Sequence, residues 1–126
     1  MRTLPTIFVI VVLLLGGSFL SYQYIQRTTQ NLHSQVSTVE QSISNKQWDA
    51  AQSKLRETQQ HWDKNKFWWT ILLDHQEIDK IDLSLTRLDK YLLTQNLSLS
   101  LVEVSTLELL FDHISSSEQL NLENIL

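Results

Sequence analysis

The chain has no cysteine, one proline and two glycines in 126 residues. The missing cysteine excludes a disulfide framework, thiol chemistry and a lipid-modified cysteine anchor. Pro5, Gly16 and Gly17 all fall in the first 17 residues, so residues 18–126 contain no glycine and no proline. A backbone of that kind has few ways to build the close-approach loops that cradle phosphates. No glycine-rich phosphate loop, metalloprotease helix motif or nucleophile elbow is present. Neither a reaction nor a cofactor is expected. Charge is sparse at the start as well: residues 4–24 carry none.

That charge-free stretch is strongly apolar. Residues 7–15 are aliphatic apart from Phe8, and Phe19, Leu20, Tyr22, Tyr24 and Ile25 continue the pattern. A helix rises about 1.5 Å per residue, so roughly 20 residues cross a hydrocarbon layer of about 30 Å. Pro5 suits a first helical turn, and Tyr22 and Tyr24 suit a membrane–water interface. The segment therefore predicts a transmembrane anchor over residues 1–25, with Ile7, Phe8, Val11, Leu14 and Phe19 facing lipid. A cleaved signal peptide is the competing reading; the lack of an A-x-A-like site weighs against it. Arg2 and Arg27 bracket the segment and give no orientation signal. Setting Arg2 aside leaves nine Lys/Arg against fourteen Asp/Glu, a formal −5 for the rest of the chain. An acidic tail behind one N-terminal anchor points to a single-pass protein of the cell membrane with its C-terminal domain extracytoplasmic. The same charge disfavours nucleic acid as a partner.

Residues 26–126 are enough for one small domain. Leu32, Val36, Val39 and Ile43 recur at spacings of 4, 3 and 4, a one-sided helical stripe that can run straight on from the anchor. Ser44-Asn45-Lys46 predicts a turn. Trp48, Ala51, Leu55 and Trp62 mark a second helix, and Lys64-Asn65-Lys66 a second break. Ile78, Ile81, Leu85, Leu88 and Leu92 give the clearest helical period, closed by Thr94-Gln95-Asn96. A last helix is expected over about residues 98–113, ended by Ser115-Ser116-Ser117. The fold class is therefore all-α: an anchor helix continuing into a small antiparallel bundle of about four helices. Trp48 and Trp62 are expected in the core, with one of Trp68 and Trp69 partly exposed. Residues 46–66 are basic and residues 91–126 acidic, which predicts that the last helix packs near the second.

Two kinds of site can be proposed from these residues. The last helix is apolar over more than one stripe, and the tail stays apolar to its final residue. Leu99, Val102, Leu109, Leu110, Leu122, Ile125 and Leu126 are thus candidates for binding a membrane-protein partner or a second copy of the chain. His75, Asp79 and Asp82 fall at i, i+4 and i+7, one helix face on which an imidazole and two carboxylates could hold zinc or manganese. The alternative to an interaction protein is accordingly a metal- or small-ligand-binding sensor. The ordinary reading of that acidic stretch is a helix whose dipole favours carboxylates in its early turns.

Taken in order, the anchor, W-D-A-A at residues 48–51, the tryptophan-rich stretch at 62–69, D-H-Q-E-I-D at 74–79, S-L-T-R-L at 84–88 and the ending H-I-S-S-S-E-Q-L-N-L-E-N-I-L at 113–126 resemble domain-of-unknown-function family 4363. The resemblance spans essentially the whole chain. It implies a small single-pass membrane protein of spore-forming Gram-positive bacteria, non-enzymatic, with a YetF-like multi-pass membrane protein as a possible partner. It implies no catalytic or ligand residue.

Overall fold

The structure is a computed structural model that describes the backbone of residues 3–125 and the side chains of residues 3–116. It is all-helical there: α1 (Thr3–Ser44), α2 (Trp48–Lys64), α3 (Lys66–Leu72), α4 (His75–Leu93) and α5 (Leu97–Ile125). The four long helices form a closed circuit of packed pairs, α1 on α2, α2 on α4, α4 on α5 and α5 on α1, with the short α3 resting on α2 and α4.

α1 is one unbroken helix of 42 residues with two different characters. Its C-terminal half keeps a near-heptad period, and Ile25, Thr29, Leu32, Val36, Val39 and Ile43 are all buried. Facing it are Ala51, Leu55 and Trp62 from α2 and Val104, Leu107, Phe111 and Ile114 from α5. The period seen in α4 holds throughout: Ile78, Ile81, Leu85, Leu88 and Leu92 are buried. Each fully buried aliphatic side chain of this kind contributes about 1.5–3 kcal/mol. That burial holds the second half of α1, whose other faces are polar, in place.

The turns show how a chain without glycine in this region closes its helices. Lys46 and Gln95 adopt left-handed backbone angles, φ 57° and 53°. After α1, the N–H of Lys46 donates to Ile43 O at 2.9 Å and that of Gln47 to Ser42 O at 2.8 Å. After α4, Gln95 donates to Leu92 O at 3.1 Å and Asn96 to Tyr91 O at 3.0 Å. Both are Schellman caps, normally built on glycine. α4 begins at Asp74, whose carboxylate accepts from the Gln76 N–H. α5 begins at Asn96, whose side-chain oxygen accepts from the Leu99 N–H at 3.0 Å. Such side chains satisfy donors that a helix start leaves free.

Several expectations need correction. α5 does not end at Ser115-Ser116-Ser117 but runs through to Ile125. Ser115 is held from α1: Gln26 Nε2 donates to its carbonyl at 2.9 Å and its hydroxyl donates to Gln26 Oε1 at 2.6 Å. Those bonds, with Ile114 buried beside them, override the weak helical preference of serine. An unforeseen break at Leu73-Asp74 separates α3 from α4. Trp48 is only half-buried at the edge of the core, whereas Trp69 is completely buried and stacks on Trp62, 5.2 Å between ring centroids. α5 packs chiefly on α1 and α4 rather than on α2, apart from the contact of Phe111 with Trp62. Its charged partners lie accordingly on α1 and α4: Asp112 faces His33 and His113 faces Glu77, each at 3.7 Å.

Candidate interaction surfaces

Among the described residues, the large apolar side chains in the N-terminal half of α1 are not covered by the bundle. Ile7, Phe8, Val11, Leu14 and Phe19 are all exposed, as are the other large apolar residues of this half. By length and composition this helix can cross a membrane. Among the described residues, a Cβ added at Gly16 or Gly17 would meet open space.

Packing begins at Tyr24 and Ile25, inside the stretch assigned to the anchor. Ile25 is fully buried. The Tyr24 ring lies 6.4 Å from that of Trp68 and 6.1 Å from that of Trp69. Its hydroxyl donates to Asn65 Oδ1 at 2.7 Å, and Asn65 Nδ2 in turn donates to His61 O at 2.8 Å. Core packing thus includes Tyr24 and Ile25.

On α5 the sequence left open which face is buried. Val104, Leu107, Phe111 and Ile114 point inward, Leu110 packs partly against the core, and Leu99, Val102 and Leu109 stand exposed. The exposed three recur at intervals of 3 and 7, which places them on one side of the helix. Leu122 and Ile125 lie on the helical backbone, but their side chains are outside the described residues, and Leu126 is outside them altogether.

The acidic stretch of α4 does not assemble a metal centre. Among the described residues no three His, Asp or Glu side chains are grouped so as to hold an ion. Asp82 has both carboxylate oxygens engaged: Oδ1 accepts from Trp62 Nε1 at 2.7 Å and Oδ2 from Lys66 Nζ at 2.9 Å. This pairing keeps the Lys66 ammonium protonated to higher pH than usual. His75 and Asp79 are exposed on the same helix. Asp82, the third member of the expected i, i+4, i+7 face, is thus spent on structure.

Sequence reasoning passed over two polar clusters at the α1–α5 and α4–α5 seams. Ser84 Oγ donates to Glu103 Oε1 at 2.7 Å, both residues being buried. Glu103 stands immediately before the core residue Val104, and no apolar period in the sequence marked it as buried. At the other seam Glu108 lies beside Glu40, with His33 and Asp112 near by. Burial first, then the neighbouring Glu40 carboxyl, raises the Glu108 pKa from 4.5 to about 7. Two carboxyl groups this close bind one another only if one keeps its proton. Glu108 Oε1 is itself buried with no hydrogen-bond partner among the described residues.

No curated protein matches the chain. No solved structure matches it either. The family model described as domain of unknown function DUF4363 matches residues 19–125, a stretch that takes in the whole bundle and the last turns of the apolar half of α1, and the chain belongs to that family.

Proposed function

We propose that this protein is a non-enzymatic, membrane-anchored accessory protein. The apolar half of α1 spans the cell membrane once, and the acidic helical domain lies on the extracytoplasmic side. The domain is an antiparallel bundle, a reading supported by the order of its cross-helix pairs: Gln26 meets Ser115 while His33 meets Asp112. Its task is to hold an apolar binding face at a set height beside an integral-membrane partner or a second copy of the chain.

The observation that carries this reading is the continuity of α1. The same helix that exposes Ile7, Phe8, Leu14 and Phe19 buries Ile25, Leu32 and Val36 in the bundle, with no break between. Position in the bilayer is therefore transmitted rigidly to α5, whose Leu99, Val102 and Leu109 stand exposed. Exposed apolar positions grouped on one helix side mark interaction surfaces more often than isolated ones do.

The test is affinity purification of the full chain from native membranes, beside a Val102→Glu, Leu109→Glu double variant. Both positions are exposed, so the variant should fold with the stability of the parent. Loss of the co-purifying membrane protein, or of the second copy, in the variant supports the reading. An unchanged complex removes α5 as the binding face.

A further inference from the structure

α3 carries an apolar face that the bundle does not cover. Phe67 is 67% exposed, Trp68 51% and Ile71 59%. Positions 67, 68 and 71 fall within about 100° of one another around a helix, so they form one surface. The opposite side supplies Trp69 and Leu72 to the core. Phe67 and Trp68 meet edge to face, 5.5 Å between centroids. A seven-residue helix with two aromatic rings and an isoleucine facing outward is unusual on a domain surface in water.

Its location says what covers it. The Trp68 ring stands 6.4 Å from Tyr24, and Tyr24 lies at the end of the apolar half of α1, three residues before that helix's first charge, Arg27. The patch is therefore continuous with the surface that enters the bilayer, at the level where apolar side chains give way to polar ones. Tryptophan and tyrosine concentrate at that level because their rings are apolar and their N–H or O–H is not.

We propose that α3 is a second, interfacial membrane contact, with Phe67, Trp68 and Ile71 seated among lipid headgroups beside Tyr24. This rests on the reading of α1 as a span. One helix crossing a bilayer leaves its domain free to rotate about the helix axis; a second contact to one side fixes that rotation. The exposed face of α5 then points in a set direction within the membrane plane. The charged groups around α3 balance, Lys64 and Lys66 against Asp63 and Asp74, so the contact depends on apolar burial rather than on anionic lipid.

The absence of cysteine makes a direct test simple. Phe67→Cys, Ile71→Cys and, as a control, Ser53→Cys on the exposed side of α2 each give the full chain one site for a polarity-sensitive fluorophore. The labelled proteins are reconstituted in phosphatidylcholine vesicles, with and without phosphatidylglycerol, and challenged with lipid bearing a shallow nitroxide. Labels at 67 and 71 are expected to emit at shorter wavelength than the label at 53. Their quenching by the nitroxide lipid should be several-fold stronger, in both lipid compositions. Labels at 67 and 71 that behave like the label at 53, on protein that floats with the vesicles, overturn the α3 contact and leave the span intact; the patch would then be a protein-binding surface. Protein that fails to float overturns both.

Discussion

Tyr24 donates a 2.7 Å hydrogen bond to Asn65, and this one contact joins the end of the apolar half of α1 to the joint between α2 and α3. The ring of Tyr24 is also packed against Trp68 and Trp69. Tyr24→Phe keeps the ring contacts and loses only the bond, at an expected cost of about 1 kcal/mol. Thermal unfolding in detergent measures it. By the same reasoning a chain shortened to begin at Ser21 should unfold at higher temperature than one beginning at Arg27, because the second lacks Tyr24, the buried Ile25 and the Gln26 that ties Ser115.

Asp82 accepts from both Trp62 and Lys66. In Asp82→Ala the buried Trp62 N–H is left without a partner, an expected loss of about 1–3 kcal/mol. Asp82→Asn retains an oxygen for Trp62 and forfeits only the partly exposed ion pair, about 0–1 kcal/mol. Chemical denaturation of the two variants should rank them in that order. Equal losses would show that the ion pair, not the indole bond, is the larger contribution.

Gln95 sits at φ 53° in the turn between α4 and α5, a conformation that a side chain disfavours and glycine does not. Gln95→Gly should stabilise the fold by up to about 1 kcal/mol, and Lys46→Gly by a similar amount in the turn after α1. The check is the shift in unfolding midpoint. A fall would mean that these side chains contribute contacts beyond their backbone angles.

Glu108 gives the bundle a pH dependence of known sign. Its pKa is raised in the folded state to about 7 from 4.5. The fold therefore binds this proton more tightly than the unfolded chain does, and stability falls as pH rises between those values. The contribution is complete below the unfolded pKa and lost above the folded one. Glu108→Gln mimics the protonated form, so it should flatten that part of the stability profile and raise stability above neutral pH. Unfolding midpoints of the two proteins across the range decide it.

How far the sequence led depends on what kind of signal each element carried. The body of α4 was legible because Ile78, Ile81, Leu85, Leu88 and Leu92 repeat with no competing face, and all five are buried, though its start after the break at Leu73-Asp74 was not. The α1 stripe was legible for the same reason. The end of α5 was not: three serines resemble a stop, and only the tie from Gln26, distant in the chain, shows why the helix continues. The tryptophans were half legible. Adjacent Trp68 and Trp69 must point different ways, so one was bound to be outside. Which one depended on how α3 sits on α2 across the joint at Asn65, where Trp69 stacks on Trp62. The metal face failed for a related reason, since spacing along α4 says nothing of Trp62 and Lys66 arriving to occupy Asp82.

The central claim is that the apolar half of α1 holds this domain in a bilayer. Extraction of cell membranes with alkaline carbonate tests it most directly, because that treatment strips surface-bound proteins and leaves spanning ones. The full chain is expected to stay with the membrane pellet, and a chain beginning at Ser21 to appear in the supernatant with the helical spectrum of the bundle. Release of the full chain into the supernatant would contradict the account.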